Sequence, residues 1–578
     1  MKKITIALIA ALGLYSCTED FITKDPLGVS STATYYNDPD QCQLAVNAIY
    51  DPLGWFELHD EYLWKIGDIC TDDAERGGAN GLKTYTTGDD WDKSGQLSVF
   101  QATDRSSVMS GIWDAAYKGI ARANAMLDGC EGTDNEKIKE MRAEVRFLRA
   151  WYYFQLTKTF GPVVLLKNSV SPSDAENLGN RASGDDNIGT KAVREQYDFI
   201  ISELEAIKGE LPTTAESGKV TSGAARAFLA KAYLYRADMC NNPADYEKAY
   251  QAAYTLYTEA NGSTYGLETH YQDVFDIYGE SHESSKEIVF SVKMIAGSLY
   301  GHKGDGSIKP VYTGPRYYYD QTNKASQIED GLGYGFAMPT QNLLDAFEPG
   351  DARATMIVAS PYKNAAVNAS IASLHLDTAA WCKPSKIKIG DANVEGWYAI
   401  GAVDWSTGYY NMKNTEVSPL LINSGNNTQV AGKDLILLRW ADVMLIAAEA
   451  GVQAGGHDTE VLGLINALRA RARNSARTVN YNTSGASAAC YTYTPAATPA
   501  DLTTVTLDAV KKERRVEMYG EGDRYWDLIR WGETSKFRTQ DISGYTFKFN
   551  DATLGRWPIP QAEIILHAGG NLKQNPGY

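Results

Sequence analysis

The chain has 578 residues, a formal charge of −17, 44% apolar residues and a mean hydropathy of −0.34. Such acidity argues against nucleic acid or anionic lipid headgroups as partners, since both need a cationic surface that displaces counterions. Beyond the first residues no window reaches about eighteen apolar residues, so no membrane-spanning helix is predicted.

Lys2 and Lys3 precede an apolar run from Ile4 to Leu14 that is too short to span a bilayer, and the small Ser16 precedes Cys17. This is the pattern of an export signal over 1–16. Leu14-Tyr15-Ser16-Cys17 resembles a bacterial lipobox. Cleavage there would leave Cys17 as an acylated first residue, a lipid anchor and the only membrane contact expected. Residues 17–578 read as a single domain, with a helical N-terminal part to about 260. From about 261 to 578 follows an irregular part whose C-terminal helices pack on the scaffold.

From 108 to 260 the apolar residues keep helical period. Trp113, Tyr117, Ile120 and Leu127, then Met141, Val145, Leu148, Trp151, Tyr152 and Leu156, predict a helical hairpin joined near Gly129 to Asn135. A second pair places Ala224, Phe228 and Ala232 against Tyr246, Ala249, Tyr250, Ala253 and Tyr257. Small alanines opposite large aromatics let helices approach closely, as in tetratricopeptide-like pairs, although no strict repeat is visible. A late set runs from Leu438 through Met444 and Glu449 to Val461, Ile465 and Leu468. The fold class expected is mainly α: a tetratricopeptide-like scaffold of helical pairs with a large irregular, loop-rich half.

Between these blocks, residues 290–340 and 380–430 alternate aromatics with glycines and polar turns, a texture that does not form helices. Aromatic loops on a rigid frame make binding surfaces, and sugar rings present a C–H face to a flat π-system and hydroxyls to carboxylates, amides and guanidinium groups. Three segments meet that need. One holds Asp72, Arg76 and Trp91; a second holds Tyr300 with Tyr317 and Tyr319, which would share one face if extended; a third centres on Trp381. These residues are the glycan-binding candidates.

Cys42, Cys70, Cys130, Cys240, Cys382 and Cys490 are scattered singly, and the seven histidines are equally dispersed. No zinc site is expected, and most thiols are expected to be free and buried. Asp89, Asp90 and Asp92 offer oxygen ligands of the kind calcium takes, but without EF-hand spacing they read more simply as a solvated turn, so no cofactor is expected. The charged run Glu513, Arg514, Arg515, Glu517, Glu521, Asp523 and Arg524 invites a catalytic reading. It lies where one helix ends at Gly520 and another starts near Asp523, and an ion-pair network tying that corner to the frame needs the same residue types. No metalloprotease, nucleophile-elbow or phosphate-loop motif is present, so no catalytic residue is assigned.

Several blocks in order resemble the SusD/RagB family of outer-membrane nutrient-binding lipoproteins. They are Phe21 to Pro26 after the lipobox; AEVRFLRAWYYF from Ala143 to Phe154, with Phe160-Gly161-Pro162; Lys286 to Phe290; Pro339 to Phe347, with Asp351 and Arg353; and Leu438 to Glu449. The C-terminal blocks are Glu513 to Glu517, GEGDRYWDLIRW from Gly520 to Trp531, Pro558-Ile559-Pro560, and Asn571 to Tyr578. The resemblance implies a binding protein, not an enzyme. It would capture oligosaccharide or polysaccharide outside the cell and deliver it to a SusC-like TonB-dependent transporter, held to the outer membrane by its lipid. Glu19 and Asp20 look like a surface-export signal. The alternatives are a peptide- or protein-binding lipoprotein of tetratricopeptide type and a surface glycoside hydrolase, the latter without a supporting motif.

Overall fold

The structure is a computed structural model that describes residues 35–77, 91–275, 285–295, 306–314, 335–359, 386–389, 392–395, 409–411, 413–414, 431–479, 491–542, 545–567 and 569–578. The export segment with Cys17, Glu19 and Asp20 lies outside them.

The principal helices are α1 (Pro39–Tyr50), α2 (Tyr62–Ile69), α3 (Ser107–Gly129), α4 (Glu136–Phe160), α5 (Thr190–Ile207), α6 (Ser222–Met239) and α7 (Ala244–Ala260). They continue as α8 (Trp440–Ala454), α9 (Asp458–Asn474), α10 (Leu507–Met518), α11 (Arg524–Arg530) and α12 (Gln561–Leu566). Local chemistry sets their starts. Asn135 accepts from the backbone N–H groups of Lys137 and Ile138 to open α4, Thr221 caps α6, and Thr506 caps α10. α4 stops at Gly161, whose φ of 71° suits only a residue without Cβ.

From α3 to α9 each helix packs on the next, and α8 continues the stack on α7 across the long irregular insertion. Alanines make the close approach: Ala224, Ala227, Ala249, Ala253, Ala441 and Ala448 have no exposed surface. This stacking of antiparallel pairs is the tetratricopeptide-like scaffold that the periodicity predicts. Leu438, expected to open the late helix, instead lies in a strand that ends at Arg439, and the helix starts at Trp440. No helix among the described residues is long and apolar enough to cross a membrane.

The irregular half is held by short antiparallel pairs. β1 (Ala74–Gly77) pairs with β3 (Phe336–Pro339), and β2 (Ile288–Val292) with β8 (Leu435–Arg439). β4 (Ile357–Ala359) pairs with β7 (Tyr409–Asn411), and β5 (Lys386–Ile389) with β6 (Ala392–Glu395). β9 (Arg477–Val479) meets β10 (Tyr491–Tyr493), and β11 (Gln540–Ile542) meets β12 (Tyr545–Phe547). Cys42, Cys70, Cys130 and Cys240 are buried free thiols, in keeping with their scattered spacing.

The two halves meet where α2 crosses the corner between α10 and α11. Gly67 permits this crossing: a Cβ there would sit 1.9 Å from the carbonyl oxygen of Gly522. Because that neighbour is backbone, a Gly67→Ala substitution is expected to lower stability by about 1–3 kcal/mol or more, read as a fall in urea midpoint.

Candidate functional site

The stretches 78–90, 315–334 with Tyr317 and Tyr319, and that between β4 and β7 leave the frame from one place; the stretch with Tyr300 lies apart from them in the chain, after β2, between Ile295 and Gly306. β1 ends at Gly77, opposite Phe336 at the start of β3, so the chain entering 78–90 and the chain returning from 315–334 are adjacent. Gly335 donates its N–H to the Gly314 carbonyl at 2.9 Å, which closes the base of 315–334. The stretch between β4 and β7 contains Trp381, and β7 packs beside β3.

All three bases are tied to the corner between α10 and α11. At the first, Arg524 donates two hydrogen bonds to the Asp72 carboxylate, both 2.9 Å, while Arg515 reaches Asp73 at 2.7 Å. At the second, Thr340 anchors β3 by donating its hydroxyl to the Asp72 carbonyl at 2.6 Å and its N–H to that of Asp73 at 2.9 Å. At the third, Arg353 bonds Glu513 at 2.6 Å and Glu517 at 3.1 Å, and Lys413 donates to the Glu517 and Tyr519 carbonyls and the Glu521 carboxylate at 2.7–2.9 Å. Arg439 and Arg471 complete the cage around Glu517. The charged run is therefore a buried ion-pair lattice, as its position between two helix ends suggested.

Electrostatics follow from that lattice. Burial works to raise the Glu517 pKa, but Arg471, Arg439 and Arg353 reverse it and hold the carboxyl well below its ordinary 4.5. Asp72 is likewise held low, its pairing with Arg524 and Arg515 outweighing burial. Asp68, with one backbone N–H from Gly522 at 3.2 Å, is pushed up to about 7 by burial. A group that accepts three guanidinium contacts at the end of a helix serves the fold.

Two predicted ligand contacts are corrected by this geometry. Asp72 is 5% exposed and its carboxylate is engaged by arginines, and Arg76 is 3% exposed within β1. Asp72 carries the base of the loop instead of facing a ligand, and Arg76 is buried in the strand that leads into it. The backbone of Trp91 opens a short π-helical turn, Trp91–Gly95. Tyr300, Tyr317, Tyr319 and Trp381 lie outside the described residues, as do Asp89 and Asp90. Trp151 and Trp526 are buried. Among the described residues no group of histidine, cysteine or carboxylate side chains could hold a metal.

Sequence reasoning missed a second concavity of about 810 Å³ between α3, the turn around Trp55 and α12. Trp113 and Tyr117, read from periodicity as core, line it together with Asp114 and Lys118. Its aromatics are committed to the protein: Lys118 and Arg122 cap the Trp55 ring at 5.5 and 5.9 Å, Tyr117 donates to the Val164 carbonyl at 2.7 Å, and the Trp113 ring lies against that of Tyr117 at 4.9 Å. The loop platform remains the stronger candidate.

Residues 286–578 match the SusD family, and residues 75–234 match a family described as starch-binding associating with outer membrane. A SusD-like protein of Formosa agariphila is 25% identical over 611 aligned residues, covering 100% of both chains. The starch-binding protein SusD of Bacteroides thetaiotaomicron is 25% identical over 84% of this chain and 81% of its own. Among solved structures, a laminarin-binding SusD-like protein superposes with a TM-score of 0.64 at 23% identity, covering 93% of this chain and 99% of that one. Surface glycan-binding protein A from Bacteroides thetaiotaomicron in complex with laminarihexaose gives 0.64 at 22% identity, with the same coverage. At such identities the solved structures show a shared fold.

Proposed function

The chain belongs to the SusD family, and from that premise we propose that it is a non-enzymatic, surface-exposed glycan-binding lipoprotein of the outer membrane. It captures oligosaccharide on the loops carrying Trp91, Tyr300, Tyr317, Tyr319 and Trp381, and delivers it to a SusC-like TonB-dependent transporter, with Cys17 as the lipid anchor. The observation that carries this reading is the convergence of the bases of three aromatic-containing stretches on one clamped corner, in a chain whose relatives are named for glycan binding. Stacking of pyranose faces on loop aromatics supplies affinity, and the lattice beneath pre-organises the loop bases so that less ordering is needed on binding.

The test is binding of the soluble body, from Thr18 onward, to purified polysaccharides and oligosaccharides by gel retardation and calorimetry. The expected result is saturable binding of one glycan class with no release of reducing ends. Release of reducing ends would replace this reading with hydrolysis, and competition by peptides but not sugars would replace it with peptide capture.

A further inference from the structure

Cys42 and Cys130 stand far apart in the sequence, but the fold brings them to one place. Cys42 ends the first turn of α1, Cys130 follows Gly129 at the close of α3, and α1 packs on both α3 and α4. Tyr36 marks the meeting point. Its carbonyl accepts from the Cys42 thiol at 3.2 Å, and its ring lies so close to Gly129 that a Cβ there would sit 2.1 Å from Cδ2. The Cys130 thiol turns back to the Met126 carbonyl at 2.6 Å.

The two thiols also act on each other. Burial, then the Cys130 thiol, pushes Cys42 up to about 11, and burial raises Cys130 as well, against the pull of Arg142 and of the Cys42 thiol. The Tyr36 hydroxyl is raised by burial, then by Tyr35 and both thiols. Cys70 and Cys240 differ. Besides burial, the groups that shift them are Arg538 and Asp68 for the first, and Arg194, Arg236, Asp198 and Asp245 for the second, with no thiol among them.

Cys42 has no exposed surface and Cys130 is 1% exposed, and a thiol must ionise before it can attack a disulfide. The folded pair is therefore inert, and a bond between the two has to form while the interior is still open. An export route supplies the setting, since disulfides form and persist in oxidising compartments outside the cytoplasm.

We propose that Cys42 and Cys130 are joined by a disulfide as the exported chain folds, stapling the first turn of α1 to the end of α3. The co-reactant is a disulfide of the periplasmic oxidant class. Its S–S bond breaks, it takes up two electrons and the two thiol protons and leaves as two thiols, while the Sγ–Sγ bond of Cys42 and Cys130 forms. The proposal rests on the export reading of 1–16 and not on glycan capture. α1 is the first described helix after the acylated Cys17, so load on the lipid tether enters the fold there. A staple at its first turn keeps this 12-residue helix, too short to be stable alone, from peeling away.

The test is a peptide map of the soluble body, from Thr18 onward, exported to the periplasm of a host, alkylated under denaturant without reductant and then digested. The expected product is a pair of peptides linked through Cys42 and Cys130 that separates on reduction. The same body made in a reducing cytoplasm is expected to melt about 2–5 °C lower, and in Cys42→Ala that difference between the two preparations is expected to vanish. Recovery of both residues as alkylated free thiols, or of either one linked to Cys70, Cys240, Cys382 or Cys490, would overturn the proposal. If Cys42→Ala does not fold, the wild-type map decides the matter. Glycan binding measured on the exported sample reads the proposed function separately.

Discussion

Glu517→Gln is expected to destabilise the soluble body by about 3–5 kcal/mol in chemical denaturation, the range for breaking a buried ion pair from one side. Glu517 is fully buried and accepts from Arg353, Arg439 and Arg471, so the near-isosteric amide leaves three guanidinium groups short of a charge without opening a cavity. The pH dependence gives a second readout. Because the folded-state pKa lies below the ordinary 4.5, the stabilisation from this group is complete above that value and is lost as pH falls through and below it. The wild type is therefore expected to lose stability steeply in that acid range, and Glu517→Gln to show a flatter acid limb. A variant as stable as wild type at pH 7 would mean that the lattice does not hold the corner.

Trp91→Ala and Tyr300→Ala are expected to weaken glycan binding at least tenfold each, about 1.4 kcal/mol, with Tm unchanged. Asp72→Asn provides the contrast. Its carboxylate is bonded to Arg524 and Arg515, so its loss is expected to lower Tm while leaving affinity within about twofold. Calorimetry on the glycan identified by the panel, with thermal unfolding of the same samples, checks both. Unchanged affinity in both aromatic variants would remove the ligand from these loops.

The helical frame was legible because its signal is local. Period 3.6 in Trp113, Tyr117 and Ile120, and in Met141, Val145 and Leu148, needs no distant partner to be read. Leu438 failed the same test because it sits at the join of β8 and α8, where an apolar run serves a strand and a helix in turn. The charged corner could be recognised as structural from the helix ends flanking it. Its partners could not: Arg353, Lys413 and Arg439 come from segments 78 to 164 residues away. Asp72 misled for the same reason. A carboxylate beside a guanidinium has the composition of a sugar site, and only Arg524, 452 residues on, shows that Asp72 is already engaged.

The Gly335 to Gly314 hydrogen bond fastens the two ends of the stretch 315–334 to each other, at its neck. Lengthening such an excursion costs only about 0.6 kcal/mol per doubling of its residues. Diversification can therefore proceed by insertion, deletion or wholesale exchange above that neck, while the interior evolves under a separate and stricter selection. A graft of a sister protein's loop between Gly314 and Gly335 is the natural route to a new diet for the same body.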